Sequence, residues 1–588
     1  MDTLTWILIG VVGFWAGALL LKQRGVLPSQ IHVNGPIVTI HTQRGRALLE
    51  RLATYRRFWR AWANVGIGMA LVVMVASFLF LLTSALSVLQ NPPQSGVTQP
   101  RNVLVIPGVN EFLPLSVAPE IIIALLVGLV VHEGGHGILC RVGDIDIDSM
   151  GVALFTFIPA GAFVQPDEES QQAADRGART RMFAAGVTNN FAITLVAFLL
   201  LFGPVVGSLA VAPGAAVGET LPASAAAAAG IDRGDRITAI DGTAVGSNDD
   251  LEATLANTTD RNVTVELNGE RERMVERSLL VTASTPSGPA AVDVGQTITR
   301  VNDSPVYTTA AFQRAITDRE VVSVTLANNS TLQFPAGASV TVSEGGAIAD
   351  TLPPGTQATI VRLDGERTPT GEALGDQLDD RAPGDSVSVT AYVDGVERTF
   401  SVTLAGSDDQ AMLGVRVQPG TTGLDLDDFG TQYYPAETYL ALLGGGQESA
   451  INPAVTDTFV GKTLFTLFLP VAGLVAGQVL PYNFPGFTGD IQNFFVIEGP
   501  LGFLGGGVFL LANILFWIGW LNINLGFFNC IPAFPLDGGH ILRTSTEAVV
   551  SRLPIEGSYE LTKLVTVTIG ATMFASFFVV VFGPQLLG

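Results

Sequence analysis

Lysine is nearly missing from this 588-residue chain. It stands only at 22, 462 and 563, and with arginine it gives 31 basic residues against 53 acidic ones, a formal net charge of -22. That balance argues against a polyanionic partner, so no nucleic acid is expected. Cysteine is as scarce: Cys140 and Cys530 make no disulfide framework and read as packing residues. Histidine occurs only at 32, 41, 132, 136 and 540, which leaves few ways to assemble a metal site from imidazoles. Charged residues are 14% of the chain and hydrophobic ones 48%, with mean hydropathy +0.42. Such a composition excludes a wholly soluble protein, and runs of 18 or more apolar residues read as membrane helices. The acid excess then belongs to parts outside the bilayer, a surface that would stay hydrated in the brine of a halophile.

The apolar run Ile121 to Val131 ends in His132-Glu133-Gly134-Gly135-His136. On a helix, positions i and i+4 face the same way, so His132 and His136 can hold one zinc ion with Glu133 beside it. A metal held so lowers the pKa of bound water to about 7, and the glutamate takes its proton. Lipid strengthens the reading, because ionisable groups on a membrane helix are paired, metal-bound or functional. The alternative is a His and Glu pair that caps the helix or reaches to the interface. A third ligand is needed, and Asn529 to Gly538 (NCIPAFPLDG) supplies the opening. Two prolines there break a helix and free backbone groups that must be buried against protein or line a wet cavity. Asp537 is the only acid in or near that stretch; its alternative role is an ordinary helix cap.

Together, the H-E-x-x-H at 132–136 and the N-x-x-P-x-x-x-x-D-G at 529–538 resemble the site-2 proteases, which are intramembrane zinc metalloproteases. Val103–Asn110, Gly151–Val164 and Phe183–Phe191 extend the resemblance in the order of the transcription-factor type, although Val187 replaces the proline frequent in relatives. The resemblance implies one Zn2+ on His132, His136 and Asp537, Glu133 as general acid/base, and Asn529 and Asn190 in binding substrate backbone. It also implies that Gly151–Val164 is a membrane-associated β-hairpin able to present substrate as a strand.

The expected fold is a polytopic α-helical membrane protein with about six spans and an inserted, β-rich, PDZ-like region. Spans are expected at 5–21, 65–89, 118–140, 183–205, 505–528 and 564–582. Lys22, Arg24 and six further arginines up to Arg60, against the single Glu50, put the loop after the first span on the cytoplasmic side. The N-terminus, the polar linker Gln90–Arg101 and the β-rich region are then outside. Counting 463–480 as a crossing would carry Asp537 to the face opposite His132, so this segment, interrupted by Pro470 and Gly473, is expected to be interfacial or re-entrant.

Between 207 and 407 the chain repeats itself. Gly234 to Gly242 (GDRITAIDG) recurs as Gly295 to Asp303 (GQTITRVND) and more loosely from Gly355 to Gly365, each copy ahead of a short helical pattern. Strand, Asp/Asn turn, strand and helix in that order suggest PDZ-like modules at 207–285, 286–340 and 341–407. They are set between an N-terminal membrane part (1–206), a linker (408–462) and a C-terminal membrane part (463–588). Such modules could bind a peptide end or strand, or admit only substrates already trimmed by an upstream protease. The expected function is zinc-dependent cleavage of single-span membrane proteins within the bilayer, near its cytoplasmic side. A zinc transporter and a non-catalytic PDZ membrane scaffold are the alternatives.

Overall fold

The structure is a computed structural model that describes residues 3–587 apart from 29, 35, 36, 93–105, 111, 157, 286, 287, 291, 408, 409, 447–455, 478 and 555–557. Most of the expected linker Gln90–Arg101, and motif residues Val103 to Val105, lie outside the described residues. The chain divides into two units, 1–211 with 437–588, and Ala212–Ala436.

The first unit opens with α1 (Thr3–Gln23), α2 (Gln43–Ala53), α3 (Arg56–Gln90), α4 (Ala118–Val142), α5 (Glu168–Ala173) and α6 (Arg176–Leu200). Helix α2 starts where Thr42 caps Gly45 N–H, and α6 where Asp175 caps Ala178 N–H, each a short polar acceptor on an orphan donor. The expected hairpin is present as β3 (Ile147–Phe155) and β4 (Ile158–Pro166), but it is half of a larger sheet. The arginine-rich loop contributes β1 (Ile31–Asn34) and β2 (Ile37–His41), giving the antiparallel order β1-β2-β3-β4. Nothing in that loop beyond the short mixed segments IHVN and IVTIH announces strands; β2 becomes a strand by pairing with β3, and β1 by pairing with β2. After α6 comes β5 (Leu209–Val211).

The second unit is three copies of one design. The first copy holds β6 (Ala215–Thr220), α7 (Ala225–Ala228), β7 (Arg236–Ile240), β8 (Thr243–Ala244), α8 (Asn248–Asn257), β9 (Asn262–Leu267) and β10 (Arg271–Glu276). The second holds β11 (Leu279–Ser284), β12 (Thr297–Val301), β13 (Ser304–Pro305), α9 (Thr309–Thr317), β14 (Val321–Leu326) and β15 (Thr331–Pro335). The third holds β16 (Ala338–Val342), β17 (Gln357–Leu363), β18 (Glu366–Arg367), α10 (Gly371–Asp379), β19 (Ser386–Val393) and β20 (Val396–Thr403). The repeated Asp or Asn does the same work each time: the Oδ1 atoms of Asp241, Asn302 and Asp364 accept the backbone N–H of Thr264, Ser323 and Ser388 at 2.7, 3.0 and 2.8 Å. All three residues have positive φ (47°, 48° and 50°), a conformation Asp and Asn tolerate better than most. Ser247, Thr308 and Thr370 then cap the three helices.

The module boundaries differ from expectation. β11 falls inside the expected first module and opens the second sheet, and β16 begins at Ala338, inside the expected second module. The repeat signature sits on the second strand of each copy, so boundaries drawn from it come several residues late. The expected linker differs more. After the ribbon β21 (Ala405–Ser407) and β22 (Gln410–Met412), residues 415–433 run back through all three copies as β23 (Val415–Val417), β24 (Leu424–Asp427) and β25 (Thr431–Tyr433). The sheets are ordered β20-β19-β17-β16-β23, β15-β14-β12-β11-β24 and β10-β9-β7-β6-β25. The return segment therefore completes the third sheet, then the second, then the first. Leu413, Leu424 and Phe429 each enter one of the three cores.

One buried ion pair ties this return to the copies. Arg277 and Asp428 are 1% and 7% exposed. Arg277 donates to Asp428 Oδ1 at 3.0 and 2.6 Å and to the carbonyls of Leu255 and Thr258 at the end of α8. Asp428 Oδ2 accepts Thr309 N–H at the start of α9. Each charge faces the helix end whose dipole suits it.

The chain then returns to the first unit through α11 (Ala436–Leu442), α12 (Phe459–Phe468) and α13 (Ala472–Val475). The expected interruption is there: Leu469–Val471 is a 3-10 turn around Pro470, and Phe484 N–H donates back to Leu469 O at 2.8 Å. By Phe484 the chain has turned back alongside Leu469. β26 (Phe495–Ile497) pairs with β5, and α14 (Gly507–Asn529), α15 (Asp537–Val550) and α16 (Ser558–Leu587) close the unit. Among the described residues, five helical stretches are long and apolar enough to cross a membrane: 56–90, 115–142, 176–208, 507–529 and 558–587. Their outer faces expose Val72, Phe80, Leu199, Phe574 and Phe578, an apolar surface that water would not wet.

Breaking the buried pair from one side strands a charge, whereas removing both partners does not. Arg277→Ala is expected to destabilise the Ala212–Ala436 unit by about 3–5 kcal/mol, and Arg277→Met with Asp428→Leu by less than either single change. Urea-dependent proteolysis of the detergent-solubilised full chain measures both; a double variant as weak as the sum of the singles would refute the pairing.

Candidate metal centre

Helix α4 brings His132 and His136 to one face, and the two Nε2 atoms lie 3.2 Å apart. Asp537, the first residue of α15, directs Oδ2 to 3.2 Å from His132 Nε2 and 3.3 Å from His136 Nε2. Three ligand-type atoms thus form a near-equilateral triangle, and that Oδ2 is buried without a hydrogen bond. Ligands of a tetrahedral ion held at about 2.0 Å stand about 3.3 Å apart, so the donor set fits a zinc ion in spacing and in chemistry. His132, Glu133 and His136 also offer ligand atoms within 4.8 Å of one another.

The outer nitrogens are spoken for. His136 Nδ1 donates to Met182 O at 2.8 Å, which leaves the Nε2 lone pair directed at Asp537. His132 Nδ1 lies 3.2 Å from the Asn190 amide. Asn190 is fully buried and its Oδ1 has no partner. Amide oxygen and nitrogen are interchangeable by a flip, and the flipped amide gives Oδ1 the imidazole N–H, freeing His132 Nε2 as a ligand. The next residue, Asn189, bridges helices instead: it donates to Val131 O and accepts from Trp62 Nε1.

Glycines let α4, α6 and α15 come this close. A Cβ on Gly186 would stand 2.6 Å from His132 Cε1 and 2.7 Å from His136 Nε2, and one on Gly135 would stand 2.8 Å from Ala185 O. One on Gly539 would meet the Ala533 backbone at 2.8 Å, so Asp537 can be delivered only over a glycine-bare turn. Gly134, between the histidines, faces open space.

Glu133 Oε2 accepts the backbone N–H of Val164 at 3.0 Å. Val164 lies on β4, the outer strand of its sheet, so the glutamate is fixed by the strand edge nearest the histidines. Glu133, His136 and Asp537 line one end of a cavity of about 800 Å³ whose wall continues through Val164, Met182, Phe183 and His540 to Arg179, Arg543 and Glu547. His540 was not among the expected site residues, although it lies three positions after Asp537 and so on the same helix face. It stacks on Phe183 with ring centroids 4.4 Å apart. Asn529 ends α14, half-buried, and is not among the described residues that line the cavity.

Comparison with known proteins adds to this geometry. A family model described as peptidase family M50 matches residues 120–575. An uncharacterized protein of Methanocaldococcus jannaschii is 29% identical over 206 residues, 34% of this chain and 52% of that protein. A zinc metalloprotease of the same organism is 36% identical over 89 residues, 13% of this chain and 24% of that protein. The chain thus spans about half the length of the first relative and a quarter of the second. Among solved structures, the PDZ domain of an SdrC-like protein from Listeria monocytogenes is similar at TM-score 0.13 and 20% identity, over 14% of this chain and 86% of that one.

Three substitutions test the geometry without touching the triangle of His132, His136 and Asp537. Gly186→Ala is expected to abolish stoichiometric metal on the purified protein, whereas Gly134→Ala keeps it and gains up to about 1 kcal/mol of helix stability; elemental analysis of both preparations decides. Asn190→Leu, which removes the tether on His132, is expected to weaken metal affinity about 10- to 100-fold in a chelator competition. Unchanged affinity would mean that Asn190 does not orient the imidazole.

Proposed function

We propose, from the premise that this chain belongs to peptidase family M50, that it is a zinc endopeptidase cutting the membrane segments of single-span proteins inside the bilayer. The observation that carries the reading is the buried triangle of His132 Nε2, His136 Nε2 and Asp537 Oδ2, together with Glu133 at the same end of the cavity. Those three side chains would hold the ion and Glu133 would not. A zinc ion in that position supplies Lewis acidity, which polarises a carbonyl and acidifies water.

The rest of the chemistry falls to the chain's own groups. Glu133 is the general base and then the acid: its Oε1 is free to take a proton from water while Oε2 stays on the Val164 N–H, and it returns that proton to the leaving amine. Among the described residues no strand lies on the outer side of β4, so a substrate segment that unwinds can be held there as an added strand by main-chain hydrogen bonds. A helical substrate cannot bind so, which makes local unwinding a requirement of cleavage. Water reaches Glu133 through the cavity, whose far end carries arginine and glutamate rather than lipid-facing residues.

The topology read from sequence belongs to this proposal: the basic loop cytoplasmic, the three-copy unit extracytoplasmic, and the cut toward the cytoplasmic side. The three copies are read as PDZ-like modules, with an upstream protease trimming substrates before they enter. The two other readings are less well supported. A transporter would want several further ligands along a path; of the remaining histidines, 32 and 41 sit together on β1 and β2, 4.5 Å apart, and only His540, stacked on Phe183, lines the cavity.

Purified wild type and Glu133→Gln, each incubated with a single-span substrate, test the reading. Both are expected to hold about one zinc ion each, with cleavage only by the wild type. Asp537→Asn is expected to lose both metal and cleavage. Cleavage surviving in Glu133→Gln would overturn the role of that residue, and zinc flux into vesicles without cleavage would favour a transporter.

A further inference from the structure

We infer that Arg179 and Arg543, at the far end of the cavity, form a subsite for an acidic side chain of the substrate about three residues from the bond that is cut; this rests on the peptidase reading above. The cavity is lined at one end by Glu133, His136 and Asp537 and at the other by Arg179, Arg543 and Glu547. α6 and α15 pack with opposite directions, since Met182 of α6 meets His136 at the inner end while Arg176 of α6 donates to Glu547 O at the outer end. The two arginines therefore stand on facing helices at similar depth.

Their charge is not cancelled. Among the described residues that line that end, Glu547 is the one carboxylate: its Oε1 is 3.2 Å from Arg543 Nε, and its Oε2 is 3.9 Å from the nearest Arg179 nitrogen. One acid is shared between two guanidinium groups, and Arg179 Nε is buried with no hydrogen bond. In a chain with 53 acidic and 31 basic residues, a cavity end with surplus positive charge runs against the general balance. An acidic side chain is the group that would complete it, because guanidinium pairs with carboxylate through two parallel hydrogen bonds.

The distance sets the register. Arg543 follows Asp537 by six residues, about 9 Å along a helix at 1.5 Å per residue. An extended peptide advances about 3.3 Å per residue, so a segment lying along β4 past Glu133 reaches the arginines after about three residues.

The test uses the zinc-loaded full-length protein and single-span peptides that differ only in carrying Asp, Asn or Lys two to five residues to either side of the cut, with the cut placed by mass spectrometry. The wild type is expected to show a KM on the order of tenfold lower for Asp than for Lys near the third position of one flank, with kcat little changed. Arg543→Glu is expected to reverse that order. The Asp-to-Lys ratio is internal to each preparation, so partial loss of folded protein cancels, and a helix-clamping role for Arg543 would not invert it. Equal KM values in the wild type, or the same preference in Arg543→Glu, would overturn the subsite while leaving the peptidase reading intact. If the wild type cuts none of the peptides, the peptidase reading falls and the subsite with it.

Discussion

Three lone-pair-bearing atoms held within 3.3 Å of one another and away from water are the constraint on which the rest of the helical unit depends. Without a cation between them they gain nothing from proximity, so the approach must be enforced from outside. It is enforced by backbone and by the absence of side chains. Met182 O and Asn190 hold the outer imidazole nitrogens, and Gly186 allows α6 to lie against both rings where any Cβ would collide. Asp537 arrives at the first turn of α15, where the helix dipole favours a carboxylate, because Gly539 lets the turn press on the Ala533 backbone. Two imidazoles and a carboxylate so placed match a tetrahedral zinc ion in donor type and in spacing.

What the sequence made legible follows from what is local. The i, i+4 spacing of His132 and His136 is a property of one helix, and so were the Asp/Asn turns and capping residues of the three copies, each reporting its own backbone conformation. Asp537 was legible only through resemblance and through its being the sole acid near broken helix. Groups whose meaning lies in a distant partner stayed hidden. Asn190 acts on His132, 58 residues earlier, and its buried position on that ring differs from a place on substrate backbone. β1 and β2 looked like part of a basic loop, since β2 is completed by β3, more than a hundred residues on, and β1 by β2 in turn. His540 was within reach, three residues after Asp537, but imidazole stacked on Phe183 carries no sequence signature.

The return segment at 415–433 is the clearest case of a feature that no local pattern can carry. Its three strands are three or four residues long, too short to read as strands, and glycines surround them. Each becomes a strand because a sheet with an open edge waits for it, in reverse order of synthesis. The physical consequence is cooperativity. No copy is complete until the chain has passed through all three, and the buried Arg277–Asp428 pair locks the crossing between the first and second. A repeat array of independent modules would unfold piecewise; one closed by a shared segment should not.

Helix directions fix how the chain between α6 and α14 must run. A Cβ on Gly128 of α4 would meet Asn522 and Leu525 of α14, and one on Gly519 or Gly526 of α14 would meet Phe198 or Phe191 of α6. Later residues of α14 therefore pair with earlier ones of α6, so those two helices are antiparallel. α4 and α6 are antiparallel as well: a Cβ on Gly135 would meet Ala185, and Val131 accepts from Asn189. Two reversals make α4 and α14 parallel, which brings the ends that carry His136 and leads to Asp537 to the same level. Any single extra crossing between α6 and α14 would turn α14 over and part the ligands. The chain meets that parity by turning back after Val475, so that Asn483 and Phe484 return to bond Gly473 and Leu469.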